Sequence, residues 1–268
     1  MDPVINVLCV GGTGESYPGD TRTEVTGGML GYVTRNLGPG FRPRWVGYPA
    51  QYGPVSGLGG LSFRQSVKAG ADNLLRVLED TPGRIVLLGY SQGCTVVRQL
   101  LHDAPPAVRR VEVVGLVADP EAPPNGDANY GVLGTDPVIP YWVTPMWVTN
   151  PKDPICNAAP DSLLRDFADL TEYFGFSDAG RWMLDVLEGL KRRSPLNRWG
   201  ADSWSLASIL AARDRVNRSI AEAWAYLPRI ESVGGLVINP SGGQHTTAYL
   251  RMPELTGLAD RIRSRMIV

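Results

Sequence analysis

A chain of 268 residues, 43% of them hydrophobic, is long enough for one large domain or for one domain carrying an insertion, and it can bury a full core. Its 26 basic and 27 acidic side chains leave a net charge of -1 with no basic block, which argues against a nucleic-acid partner. No apolar run approaches the roughly 18–20 residues that span a bilayer, and MDPVINVLCV lacks the positive n-region and long apolar h-region of a secretory signal. A soluble protein without export signal or stable membrane insertion is expected.

In chain order, strand-like and helix-like segments alternate through the first 150 residues, the pattern of an α/β sheet. Strands are expected at 5–12 (INVLCVGG), 42–50 (RPRWVGYPA), 84–91 (RIVLLGYS) and 111–120 (VEVVGLVADP). Helices are expected at about 60–80, with Val67, Ala71, Leu74, Leu75 and Leu78 on one face, and at 92–103. Two further strands fall at 143–151 and 234–240. Between them, residues 161–228 hold no strand candidate. Leu163, Leu164, Phe167 and Leu170 form one apolar stripe, Trp182, Met183, Val186, Leu187 and Leu190 a second, and Leu206, Ile209, Leu210, Val216, Ile220 and Trp224 a third. The expected organisation is a core of 1–160 and 229–268 with a helical insertion at 161–228. Cys9, Cys94 and Cys156 are odd in number and lack metal-ligand spacing, so they read as reduced core residues; no cofactor or metal is implied.

The chemistry centres on Gly89-Tyr90-Ser91-Gln92-Gly93, which lies between the apolar strand RIVLLG and a helix with Val96, Val97, Leu100 and Leu101 at helical spacing. In that strand–turn–helix context Gly-x-Ser-x-Gly presents a nucleophilic serine on a strained turn, and the glycines keep its neighbours clear of strand and helix. The turn also places the Gln92 N–H at a helix N-terminus, where it can donate to an oxyanion.

A serine nucleophile needs a histidine, and the chain has two. His102 lies on the same helix as Ser91, roughly 16 Å along the axis at about 1.5 Å per residue, and reads as a helix C-terminal residue. His245, in NPSGGQHTTAY after an apolar strand, is the expected general base. Asp153 in VTNPKDPIC and Asp119 in LVADP both follow strands; Asp153 fits the order Ser, Asp, His along the chain, while Asp119 also fits a turn cap with Pro120. VGGTGES after the first strand is either a second oxyanion donor at Thr13 or a plain Gly-rich turn.

With these residues in place the chain resembles the cutinase-like branch of the α/β hydrolases. GYSQG, DPIC and the late His245-x-x-x-Tyr249 are similar to the cutinase order of nucleophile, acid and histidine; GGTGE resembles the oxyanion loop, and YPAQYGP at 48–54 the second-strand signature. The resemblance covers 5 to about 156 and 234–268. It departs from cutinases in the separation of 92 positions from Asp153 to His245 and in Cys156, which has no evident partner. A cutinase core with a helical insertion, no disulfides and no signal resembles the Lysin B family of mycobacteriophage mycolylarabinogalactan esterases.

That resemblance implies a three-layer sandwich around a mainly parallel sheet, and a monomeric lysis enzyme made in the host cytoplasm. The enzyme would act at the mycobacterial outer envelope on mycolyl-arabinogalactan or another lipid ester. Trp182, Trp204 and Trp224 of the insertion, with Tyr141, Trp142, Met146 and Trp147, are candidates to line an acyl channel, although apolar stripes more often simply pack. The rivals are a cutinase or lipase-type esterase on shorter acyl esters, an acyl transferase, and a non-catalytic envelope-binding protein.

Overall fold

The computed structural model describes residues 4–53, 60–104, 106–124, 126, 128–135, 138–165, 168, 206–227, 229–231 and 237–267. Five strands, β1 (Ile5–Val10), β2 (Phe41–Trp45), β3 (Arg84–Tyr90), β4 (Val111–Val117) and β5 (Thr144–Val148), form one sheet in the order β2-β1-β3-β4-β5. Every pairing in it is parallel. Both edge strands carry a proline, Pro43 in β2 and Pro145 in β5, which is where the ladder tolerates a missing N–H.

The central strands are apolar on both faces because helices cover both. Helices α1 (Gly28–Thr34) and α5 (Pro253–Met266) bury one face against Val7, Cys9, Val86, Leu88 and Val113. Helices α2 (Phe63–Glu79) and α3 (Gln92–Asp103) cover the other, against Leu8, Val10, Leu87, Val114 and Leu116. The result is the three-layer sandwich of a cutinase-like α/β hydrolase. A register shift between Ile85 and Val86 lets Val111 and Val113, two residues apart, face opposite layers. Helix α2 starts at a capping box: the Ser62 side chain accepts from the Gln65 N–H, and the Gln65 side chain accepts from the Ser62 N–H.

Several expected strands end sooner than their apolar runs. β2 stops at Trp45 rather than near 50, because the backbone of Gly47 packs against the carbonyl of Asp20 and Ala50 turns into the left-handed region at φ 49°. β4 stops at Val117, where Ala118 takes φ 53°. Of the expected strand at 234–240, residues 234–236 lie outside the described ones; Val237–Ile238 form β7, which pairs antiparallel with β6 (Ile230–Glu231) and not with the central sheet. Of the expected insertion, helix α4 (Leu206–Tyr226) lies among the described residues, whereas 169–205, with Trp182 and Trp204, lie outside them. Helices α1 and α5 are additions to the sequence reading.

Candidate active site

The site gathers at the C-terminal ends of the parallel strands, where α/β sheets place their ligand crevice. Ser91 sits between β3 and α3 with φ 52° and ψ -123°, and its N–H donates to the Val117 carbonyl at 2.9 Å. The flanking glycines are required by crowding. A Cβ at Gly89 would lie 2.8 Å from Cys94 Cα, and one at Gly93 would strike the carbonyl oxygen of Val10. The strain at Ser91 is held by the strand, the helix and that cross-strand hydrogen bond.

Asp153 follows β5 in a turn that its own groups define: its N–H donates to the Asn150 carbonyl at 2.9 Å, and Oδ1 accepts from the Ile155 N–H at 2.9 Å. His245 follows β7. The structure brings Ser91, His245 and Asp153 into one chain of contacts, with His245 Nε2 2.8 Å from Ser91 Oγ and His245 Nδ1 2.9 Å from Asp153 Oδ2. Since a carboxylate only accepts, the proton belongs on Nδ1, which leaves Nε2 to accept from the Ser91 hydroxyl. Asp153 is wholly buried and His245 nearly so. This is the geometry of a serine-hydrolase triad.

The surrounding residues hold it together. Asn150 Nδ2 donates to the carbonyl and side-chain oxygens of Gln244, tying the acid turn to the histidine loop. The Tyr90 hydroxyl donates to the His245 carbonyl at 2.7 Å, and the rings of Tyr90 and Tyr226 lie on the imidazole at centroid distances of 5.7 and 5.5 Å. The histidine loop also caps α4: Gly243 N–H donates to the Leu227 carbonyl and Gln244 N–H to the Ala225 carbonyl.

Two backbone N–H groups beside Ser91 are the candidates for an oxyanion hole. Gln92 is the first residue of α3, so its N–H has no partner within the helix. In the first-strand loop, Gly12 N–H donates to Glu15 and Gly14 N–H to the Ala50 carbonyl; among the described residues, no protein acceptor takes the Thr13 N–H between them. The Gln92 side chain fixes this loop, its Oε1 accepting from Thr13 Oγ1 and the Tyr48 hydroxyl and its Nε2 donating to the Gln51 carbonyl. Burial pushes the Glu15 carboxyl above its ordinary range, against the opposing pull of the Gly12 and Met29 N–H groups.

The other candidates go elsewhere. His102 is exposed in the last turn of α3 beside Asp103. The Asp119 carboxylate is buried and committed, accepting from the Glu121 N–H, Arg98 Nε and Trp147 Nε1. Arg98 pairs with Glu121 as well and donates to its carbonyl, so this cluster anchors the loop that begins at Pro120. Replacing Arg98 with Met takes its guanidinium away from two buried carboxylates, and unfolding in urea is expected to show a loss of about 3–5 kcal/mol.

A cavity of about 290 Å³ opens onto Ser91, Gln92, His245 and Thr13. Its remaining walls are apolar: Tyr52 and Phe63 on one side, Pro120, Val132 and Leu133 from the anchored loop, Ile155, Leu164 and Ala168 after the acid, and Tyr226 and Leu227 at the end of α4. The expected aromatic lining is corrected. Tyr141 is exposed, Trp142 stacks under Arg109, Met146 lies in the core, Trp147 bonds to Asp119, and Trp224 is half exposed; none borders the cavity. Their place near β5 and on the outer side of α4 turns them away from Ser91.

Sequence reasoning missed Tyr90, Asn150 and Tyr226 as supports, because each acts through a contact across the fold, and Glu15, which holds the Gly12 N–H within its own loop. Tyr249 had a signal, the His-x-x-x-Tyr spacing that brings its hydroxyl to the triad acid.

A model of the PE-PPE domain matches residues 39–153, a stretch that contains Ser91 and ends at Asp153. The chain is 34% identical over 97 residues to SL1278 acyltransferase Chp1 of Mycobacterium tuberculosis; the match covers 36% of this chain and 21% of that protein's length. Lysin B of mycobacteriophage D29 has a similar structure, with a TM-score of 0.51 at 19% identity over 81% of this chain and 88% of that one. At that identity the likeness is one of fold. A cutinase-like protein from Cryptococcus sp. gives a TM-score of 0.40 at 16% identity over 70% of this chain and 94% of that one. Among the described residues no helix is long and apolar enough to cross a membrane.

Proposed function

We propose that the protein is a carboxylic-ester hydrolase that seats one short or medium acyl chain in the apolar cavity beside Ser91. The observation that supports this most is the cavity itself. Its volume of about 290 Å³ lies at the lower end of the roughly 300–1,000 Å³ usual for ligand sites, enough for one such chain and little for the alcohol.

The reaction is a double displacement. Ser91 Oγ attacks the ester carbonyl as its proton passes to His245 Nε2, and Asp153 steadies the imidazolium through Nδ1. The Gln92 and Thr13 N–H groups receive the oxyanion. The C–O bond to the alcohol breaks, and the leaving oxygen takes the proton from Nε2. Water, giving a proton to His245 Nε2, then attacks the acyl-enzyme; the bond to Ser91 Oγ breaks, Oγ takes that proton back, and the acid leaves.

A second reading is transfer of the acyl group to a sugar hydroxyl, which follows the same path until the acyl-enzyme meets an alcohol instead of water. The match to a protein named as an acyltransferase favours it. A mycolyl-arabinogalactan ester, to which the sequence resemblance points, is the narrowest reading and requires an acyl chain that continues beyond the described cavity.

The test is a series of p-nitrophenyl esters from acetate to palmitate, run with and without a glucose acceptor, beside delipidated mycobacterial wall. The expected result is a kcat/KM maximum at a short or medium chain, at least tenfold above palmitate. Acyl-glucose in place of free acid would move the protein to the transferases, and mycolate release would establish the wall ester. No turnover of any ester in the series would contradict the proposal.

A further inference from the structure

We infer that Tyr249 is a positioning residue of the triad, its hydroxyl holding the carboxylate oxygen of Asp153 that orients His245 and so setting the basicity of that histidine. Tyr249 lies wholly buried at the start of the turn that leads into α5. Its hydroxyl is 2.8 Å from Asp153 Oδ2, the same oxygen that faces His245 Nδ1, while Oδ1 takes the Ile155 N–H. A carboxylate only accepts, so the phenol proton lies on that bond.

The remaining contacts fix this direction. The Tyr249 oxygen accepts the Asn150 N–H at 3.1 Å and lies 3.2 Å from Cys156 Sγ, whose thiol proton is then free to point at it. Asp153 is therefore a buried carboxylate held by the phenol, one backbone N–H, the histidine and, at 3.6 Å, the Cys156 thiol, with no arginine or lysine bonded to it among the described residues. Hydrogen bonds to an ionised acceptor are the strong ones, and donors that share the charge of Oδ2 weaken its hold on the imidazolium proton.

The titratable groups around the pair are Tyr90, Tyr226, Tyr249, Cys156 and Glu15. Desolvation holds the phenols and the thiol above their ordinary values, so they remain protonated donors over the working range of His245. Glu15, itself raised by burial, faces His245 from the oxyanion loop and is common to every variant compared.

The inference rests on the serine-hydrolase reading of the triad, and its test avoids any acyl substrate. The full chain is labelled with a fluorophosphonate from pH 4 to 9: Ser91 Oγ bonds to phosphorus, fluoride leaves, and the serine proton passes to His245. In Tyr249→Phe the limiting rate constant is expected to fall about 10- to 100-fold, and the acid limb, which reports His245, to move upward by roughly one pH unit. A chain carrying 3,5-difluorotyrosine at 249 keeps the contacts with a stronger donor, and there the limb is expected to move downward. This second variant decides the matter if Tyr249→Phe fails to fold. A limb that stays at the wild-type position in the folded variants would overturn the inference whatever happens to the rate, since a merely structural tyrosine leaves the basicity of His245 alone. Wild-type protein that takes the label and hydrolyses no ester would overturn the esterase proposal only; wild-type protein that takes no label would overturn both.

Discussion

Ser91→Ala is expected to lower kcat on the best ester by about 10⁵- to 10⁶-fold, and His245→Ala to lower it by nearly as much. The double variant should be hardly worse than either single one. The reason is geometric: Ser91 Oγ and His245 Nε2, 2.8 Å apart, act as one unit, since the hydroxyl is a weak nucleophile without an acceptor for its proton. Asp153→Asn is expected to cost about 10⁴-fold. An amide there offers the Nδ1–H a poorer acceptor and can present a donor instead, which turns the imidazole to the wrong tautomer. What survives in all these variants is the contribution of binding and of the Gln92 and Thr13 donors. Initial rates on a p-nitrophenyl ester, compared at saturation, read all four variants. Additive losses in the double variant would break the link between Ser91 and His245.

Removing residues 161–228 and closing the gap is expected to abolish hydrolysis of every ester, acetate included, down to the level of His245→Ala. From sequence, this segment is an insertion whose loss alters chain-length preference. The contacts of α4 give it a second task. Its last carbonyls, on Ala225 and Leu227, receive the N–H groups of Gln244 and Gly243, and the Tyr226 ring lies on His245. About one to two turns earlier, Glu222 receives the Ser162 hydroxyl, and Ser219 Oγ accepts the Leu163 N–H, so the same helix braces the segment after the acid. Helix α4 therefore spans the acid side and the base side of the triad. Acetate needs none of the acyl cavity, which makes it the discriminating substrate: a folded deletion variant, checked by circular dichroism, that still hydrolyses acetate at the wild-type rate would reduce α4 to an acyl-chain wall.

The legible part of the site was the part written in local sequence. The Gly-x-Ser-x-Gly turn is a contiguous device, and the crowding that excludes side chains at Gly89 and Gly93 is visible as two glycines beside a strand and a helix. The contest between His102 and His245 was settled by helix rise alone, and the structure leaves His102 exposed beside Asp103. Asp119 and Asp153 were harder, because both follow β-strands and both bond to the backbone two residues on. What separates them is Arg98, which lies on α3 and reaches Asp119 only in the folded chain.

The aromatic lining failed for a related reason. Tyr141, Trp142, Met146 and Trp147 were grouped by sequence proximity, yet successive side chains of a strand leave on opposite faces, and Met146 and Trp147 accordingly pack in different layers. The cavity is instead walled in large part by irregular segments after strands, where Pro120, Val132, Leu133 and Ile155 carry no periodic signal. Helix α5 was missed although its signal is present, with Pro253 at its first turn and Leu255, Leu258, Ala259, Ile262 and Met266 at core spacing. Helix α1 was not readable, being seven residues with two glycines.

The central claim is that Ser91 carries the acyl group between alcohol and acceptor, and the most direct measurement of it is mass spectrometry of protein quenched within milliseconds of mixing with a p-nitrophenyl ester. The account predicts a burst of p-nitrophenol near one equivalent, the acyl mass added to the peptide that contains Ser91, and no such addition in Ser91→Ala. Steady turnover with no acyl adduct on that peptide, or with the adduct on another residue, would contradict it.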